Sequence, residues 1–197
     1  MRARPRRAAA TKVEVRLPLE LAMTPDSIAT EIRDARDDFH RLVDEATTAE
    51  LRRRSNGTRW TNDQLLFHML FGYLVVRTLL WLVRGFSMLP KACSCRFAQA
   101  LNAATRPFHV INYLGSLSGA RVLGHGGMER VMDHVTHSLI RTLARASDKQ
   151  LARGMHFPVD WDPYFGDYMT VQDVLHYATQ HYQHHRNQLT LSSAHNA

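Results

Sequence analysis

Cysteine is scarce in this sequence, and the scarcity limits the protein classes it can belong to. Cys93 and Cys95 are the only two cysteines in 197 residues. Residues two apart rarely pair, and two cysteines are too few for the disulfide framework of a small secreted protein. They are also too few for a four-cysteine zinc site, so we interpret them as structural thiols. No apolar stretch follows the N-terminal arginines, so we expect no secretory signal and a cytoplasmic protein.

Lysine is also scarce, with three lysines against 22 arginines, and the positive charge is unevenly placed. The formal net charge is +7, and five basic residues precede the first acid, Glu14: Arg2, Arg4, Arg6, Arg7 and Lys12. Subtracting these five from seven leaves the rest of the chain near +2. We therefore expect residues 1–22 to form a basic, disordered tail. Nucleic-acid binding through this tail and Arg52–Arg54 is an alternative, but no aromatic-basic interleaving or recognition-helix pattern supports it.

Few glycines and prolines interrupt the chain, and long helical patterns dominate. Ten glycines and seven prolines accompany 45% hydrophobic residues, enough for one domain with a sizeable core. Helical periodicity covers four segments, at about 24–50, 61–84, 128–147 and 170–191. Three of them begin with a capping residue followed by a proline or a reciprocal partner: Thr24 with Pro25, Thr61 with Gln64, and Thr170 with Asp173. The sequence predicts an all-α four-helix bundle.

Two long connections lie between these helices. Residues 86–127 carry several glycines and no clean period, so we expect additional short helices there, one of them ended by Pro107, packed across one end of the bundle. Residues 154–169 are rich in aromatic side chains and enter the last helix directly. We expect this second connection to fold over the N-terminal end of that helix.

The second predicted helix is apolar enough to raise the question of a membrane span. Residues 65–83 approach the length that crosses a bilayer. Arg77 lies near the centre, where a charge costs about 2.5–3.5 kcal/mol, and His68 adds to that cost. We therefore predict a helix buried in a soluble bundle and no membrane contact.

Histidines occur at positions that should face the core. His181 and His185 are four residues apart in the last helix, which puts them on one face, in the same stripe as Val174 and Ala178. His68 shares the apolar face of the second helix. Neutral imidazole is the commonest protein ligand of divalent metals. The alternatives are a solvated, histidine-rich helix end and a satisfied core histidine.

The combination of these residues resembles the DinB-like (YfiT-like) superfamily of four-helix bundles. The features that carry the resemblance are a tryptophan and a cap before the first histidine, and a pair of histidines on the last helix: Trp60, Thr61, His68, His181 and His185-Arg186. It covers roughly residues 25–192, and the 86–127 segment and the basic tail depart from the compact family pattern. We accordingly divide the chain into a tail at 1–22, a DinB-like domain at 23–192 and a C-terminal tail at 193–197.

The resemblance implies a divalent metal site formed by His68, His181 and His185, with zinc or nickel as the ion and water in the open positions. Relatives include transferases that use low-molecular-weight thiols of the mycothiol or bacillithiol type, so a thiol cofactor and a small-molecule substrate are expected. A non-catalytic metal-binding or stress-response module is the alternative, and a homodimer is an open expectation.

Residues around the three histidines are harder to assign from the sequence. Tyr177, Gln180 and His156 are candidates for contacts to the ligating imidazoles or to substrate. His184 should point away from His185 and be exposed. No acidic residue occupies a core position of the second or fourth predicted helix to act as a general base. This absence agrees with a metal-activated thiol better than with a self-sufficient hydrolase.

Overall fold

The computed structural model describes residues 23–195, so the tail expected at 1–22 lies outside the described residues. The described chain forms eight helices and a two-stranded antiparallel sheet. In chain order these are α1 (Pro25–Glu45), α2 (Thr48–Arg52), α3 (Asn62–Phe86), α4 (Lys91–Ala103), α5 (Thr105–Arg145), α6 (Asp148–Leu151), β1 (Gly154–His156), β2 (Tyr168–Thr170), α7 (Val171–Arg186) and α8 (Ser192–His195). Helix α8 includes residues 193–195, which the sequence pattern assigned to a C-terminal tail.

Four of the helices form the predicted bundle, which confirms the all-α fold class. Helix α3 packs against α5 and α7, and α1 packs against the same two helices. Their apolar stripes meet in one continuous core, where the largest fully buried side chains include Tyr73, Tyr182, Phe39, Ile32 and Leu66.

Capping side chains begin three of the four bundle helices, α1, α3 and α7, where the sequence predicted. The hydroxyl of Thr61 accepts the backbone N–H of Gln64, whose side chain in turn accepts the N–H of Thr61. Thr170 and Asp173 form the same reciprocal pair at the start of α7. Each pair satisfies two backbone donors that a helix start leaves without partners. Helix α1 is shorter than expected, because Thr47 begins the separate helix α2 with its own capping box.

The segment at 86–127 contains additional helices, as expected, but it is organised differently. Pro107 does not end a helix. It lies in the first turn of α5, where its missing N–H has no helical partner to lose. Helix α5 is 41 residues long and is kinked at Gly124 (φ 59°, ψ 177°), so this segment continues into the third bundle helix. Gly119 permits close packing before the kink, since a Cβ there would lie 2.0 Å from Phe67.

The aromatic connection before α7 is held by a short hairpin. Strand β1 pairs antiparallel with β2, with Met155 opposite Met169. The loop between the strands lies along α7 rather than only over its N-terminal end. Phe165 contacts Tyr177, with ring centroids 4.7 Å apart, and Tyr164 reaches His184 near the C-terminal end of the helix.

Helix α3 is the one helix of the described chain that is long and apolar enough to cross a membrane. The rest of the bundle buries 56% of its most apolar window. Such burial is typical of the core helix of a soluble protein, in agreement with the prediction.

Glu50 joins α2 to α8 and gives the fold an acid-sensitive contact. Ser192 donates its hydroxyl and its backbone N–H to Oε1, and Thr47 donates the same two groups to Oε2. These hydrogen bonds, those from Ser192 first, lower the pKa of Glu50 to about 2 from an ordinary value of 4.5. Between these values the unfolded chain binds the proton more tightly, so the contribution of Glu50 to stability is present above about pH 4.5 and is lost as the pH falls towards about 2.

We expect the Glu50→Gln variant to lose this part of the acid sensitivity. The urea midpoint of the wild type should fall more than that of the variant between about pH 6 and about pH 3. Glu45→Gln, at an exposed position on α1, is the matched control and should keep the wild-type pH dependence. Equal pH dependence of the wild type and the Glu50 variant would contradict the assignment.

Candidate metal centre

The structure brings His68, His181 and His185 together. One ligand atom from each lies within 4.8 Å of the other two. The ring centroids are 5.0 Å apart for His68 and His181, 4.6 Å for His68 and His185, and 4.6 Å for His181 and His185. We call this group the histidine triad.

Local helix geometry and one glycine explain how the triad forms. His181 and His185 lie one turn apart on α7 and point to the same side, where α3 packs. Gly72 lies one turn after His68 on α3. A Cβ at this position would lie 2.5 Å from Nδ1 of His181, so only a residue without a side chain lets the imidazole approach α3 this closely.

His185 and His68 each form a hydrogen bond through Nδ1, which leaves Nε2 of each ring free. Nδ1 of His185 lies 2.7 Å from Oε1 of Gln188, an acceptor, so this nitrogen carries the proton. Nδ1 of His68 lies 3.2 Å from the hydroxyl of Ser116, which donates its own proton to the carbonyl of Asn112. Ser116 therefore accepts from His68. In both imidazoles the lone pair remains on Nε2, as a metal ligand requires.

Burial keeps the three imidazoles neutral. Burial is the largest of the causes that bring the pKa of His68 down to about 3 and that of His185 down to about 4. Neighbouring imidazoles contribute to both shifts, and the hydrogen bond to Gln188 opposes the shift of His185. The pKa of His181 is also well below its ordinary value, again through burial first. Near neutral pH all three side chains are therefore in the unprotonated form that binds metal ions.

Trp60, for which the sequence predicted no role, forms one wall of the triad. Its ring stacks on His68 with centroids 4.3 Å apart and an interplanar angle of 27°, and its edge meets His185. Flat contacts of this kind fix the orientation of an imidazole without using its nitrogens.

A carboxylate that sequence reasoning missed faces the triad from the aromatic loop. Oδ2 of Asp162 lies 3.9 Å from Nε2 of His181 and accepts a hydrogen bond of 2.8 Å from the hydroxyl of Tyr177. Oδ1 accepts the backbone N–H of Tyr164 at 2.9 Å. Burial raises the pKa of Asp162. The acid absent from the core faces of α3 and α7 is thus supplied by the loop.

The other candidate residues divide into two groups. Tyr177 contacts the site through Asp162 and through the ring of His181. His156 instead pairs with Asp167 on the hairpin, and Gln180 faces a separate groove beside Glu31. His184 corrects our expectation, because it is half-buried and its Nδ1 lies 3.2 Å from the hydroxyl of Tyr164.

The donor set fits a divalent metal ion. His181 is buried and its Nδ1 has no hydrogen-bond partner among the described residues, so neither of its nitrogens is committed to another donor or acceptor within hydrogen-bond distance. Three neutral imidazoles leave coordination positions open, which is the arrangement of catalytic rather than structural zinc. The triad adjoins a cavity of about 390 Å³, large enough for a small molecule.

Comparison with protein-family models agrees with the family resemblance found in the sequence. The family model of the DinB superfamily matches residues 31–189, a range that contains all three histidines, Trp60 and Asp162. No curated protein and no solved structure matches the chain.

Proposed function

The chain belongs to the DinB superfamily, and from this premise we propose that it is a metal-dependent transferase acting with a low-molecular-weight thiol of the mycothiol or bacillithiol type. The observation that carries the proposal is the triad of buried, neutral histidines beside a cavity. A cytoplasmic location, where such thiols stay reduced, is part of the proposal.

In this proposal His68, His181 and His185 hold the ion through three nitrogens. When bound, the ion would supply Lewis acidity and lower the pKa of a thiol or water beside it. Ser116 and Gln188 keep His68 and His185 in the required tautomer. Trp60 stacks on the ring of His68 and holds its orientation.

Asp162 is positioned to move the proton in the transfer. Oδ2 would take the proton from the thiol, and the sulfur would form a bond to an electrophilic carbon of the second substrate. The bond from that carbon to its leaving group breaks with its electron pair, and Asp162 returns the proton to the leaving group. The products are a thioether and the protonated leaving group, so no oxidant or reductant is needed. Tyr177 and the N–H of Tyr164 hold the carboxylate in place.

Metal content and thiol-dependent activity test the proposal together. Protein purified without a histidine tag should contain about one equivalent of zinc, nickel or another divalent ion. The loaded protein should transfer a low-molecular-weight thiol to a chromogenic electrophile faster than the chelator-treated protein does. Metal without thiol transfer would favour the non-catalytic binding module. Protein that takes up no metal from several offered ions would contradict both functions.

A further inference from the structure

The cavity beside the triad extends far along α3. Its lining on this helix starts at His68 and continues through Phe71, Val75, Leu79 and Leu82. These positions follow the spacing of a single helical face. Fourteen residues separate the first from the last, and at 1.5 Å per residue they span about 21 Å. We call this cavity the α3 channel.

The opposite walls of the α3 channel are also apolar. Helices α4 and α5, strand β1 and the hairpin loop supply them through Phe97, Leu101, Phe108, Met155, Phe157, Pro158, Trp161, Pro163 and Phe165. Trp161 stacks on Phe108 with centroids 3.9 Å apart, and its Nε1 donates to the carbonyl of Leu101. The polar atom of this tryptophan is therefore used within the wall, and the loop is fastened to both helices.

Polar groups in the α3 channel are concentrated at its triad end. Besides the triad and Trp60, they belong to His184, Asp162, two tyrosines of the loop and α7, and Asn112 of α5. His109 is the exception, since it is exposed and lies beside Phe108 in the apolar wall. Asn112 contacts Ser116 and so lies next to His68. On α3 itself, every lining residue after Gly72 is aliphatic.

We propose that the α3 channel binds an elongated apolar molecule whose single polar head lies at the triad. This inference rests on the proposed function, and it names the second substrate of the transfer. A sugar-bearing thiol cannot fill the channel, because its hydroxyls would lose water without gaining partners there. A hydrocarbon tail would instead exchange water for aliphatic and aromatic contacts along the whole length of α3.

The test uses straight-chain carboxylates from hexanoate to dodecanoate as probes, with affinity measured by calorimetry on the metal-loaded protein. Each added methylene should tighten binding about three- to fourfold, until the chain is as long as the channel. The same series on chelator-treated protein should show the same dependence on length, with all affinities weaker by a constant factor. Affinity that does not change with length would overturn the proposal.

Substitutions at different positions along α3 test how far the bound chain extends from the triad. Val75→Trp should obstruct the channel one turn beyond Gly72 and weaken octanoate and dodecanoate alike, by at least about tenfold. Leu79→Trp, eleven residues and about 16.5 Å beyond His68, should weaken dodecanoate and spare octanoate. Thr78→Trp, on the exposed face of the same helix, is the matched control and should leave both unchanged. Equal losses for both probes in the Leu79 variant, with its helical circular dichroism intact, would also overturn the proposal.

The outcomes separate this inference from the function on which it rests. Protein that binds metal and transfers thiols but shows no dependence on chain length keeps the proposed function and refutes the channel ligand. Protein that takes up no metal but still shows the length dependence supports the channel ligand and refutes the transferase.

Discussion

The His181→Ala/His185→Ala variant is expected to lose the metal ion entirely under conditions in which the wild type keeps about one equivalent. Even residues that only orient a ligand cost about 10–100-fold in metal affinity when mutated, and this variant removes two of three ligands. We therefore expect a loss of well over about 100-fold, measured by elemental analysis and by competition with a chromogenic chelator. The remaining His68 cannot hold an ion alone against such a competitor.

A control with the same number of substitutions is available on α5. His134 and His137 are exposed and belong to a different groove from the triad. His134→Ala/His137→Ala should retain the wild-type metal content. If the triad variant also kept one equivalent, while its circular dichroism matched that of the wild type, the assignment of the metal centre would be wrong.

The second large effect is a loss of stability, which we expect when the contact between α1 and the C-terminal end of α7 is removed. Asp38 accepts hydrogen bonds from Nε of Arg186 at 2.7 Å and from the hydroxyl of the fully buried Tyr182 at 2.8 Å. The side chains of Asp38 and Arg186 are only 17% and 16% exposed. Asp38→Ala leaves a mostly buried guanidinium and a buried hydroxyl without their acceptor. We expect a loss of about 3–5 kcal/mol in the free energy of unfolding, measured by urea denaturation.

The neighbouring residue provides a matched control. Asp37 pairs with Arg36 at 2.7 Å, but its side chain is 65% exposed, so Asp37→Ala should cost only about 0–1 kcal/mol. Combining Asp38→Ala with Arg186→Met should restore part of the loss, since the charge left without a partner is then also removed. Similar losses of unfolding free energy in Asp37→Ala and Asp38→Ala would show that burial does not strengthen the pair of Asp38 and Arg186.

The sequence predicted the bundle because its helices are specified locally. Thr61 and Thr170 each carry a reciprocal partner three residues on, and such signals depend on no distant contact. The triad was predictable for a related reason, since the spacing of His181 and His185 fixes their common face. The prediction that His68 lies opposite them rested on the family resemblance and on the apolar helical face that His68 shares.

What could not be predicted depends on tertiary contacts. Asp162 faces the triad because a hairpin and a tryptophan stack fold the loop onto α4 and α5, and no local pattern encodes that path. The same loop covers His184 with Tyr164, a contact that its position on the helix did not predict. The glycines at 115–127 suggested irregular structure, whereas Gly119 is helical and is required by the nearby ring of Phe67.

The kink at Gly124 has a consequence for how such a protein can diversify. Helix α4 and the first half of α5 form one uninterrupted stretch of chain, bounded by the end of α3 and by Gly124. This stretch supplies much of the wall that faces α3, whereas the three histidines lie outside it. Exchange of this segment between related proteins that keep a serine at the position of Ser116 would alter the shape of the bound molecule and leave the three histidines and the proton on Nδ1 of His68 in place.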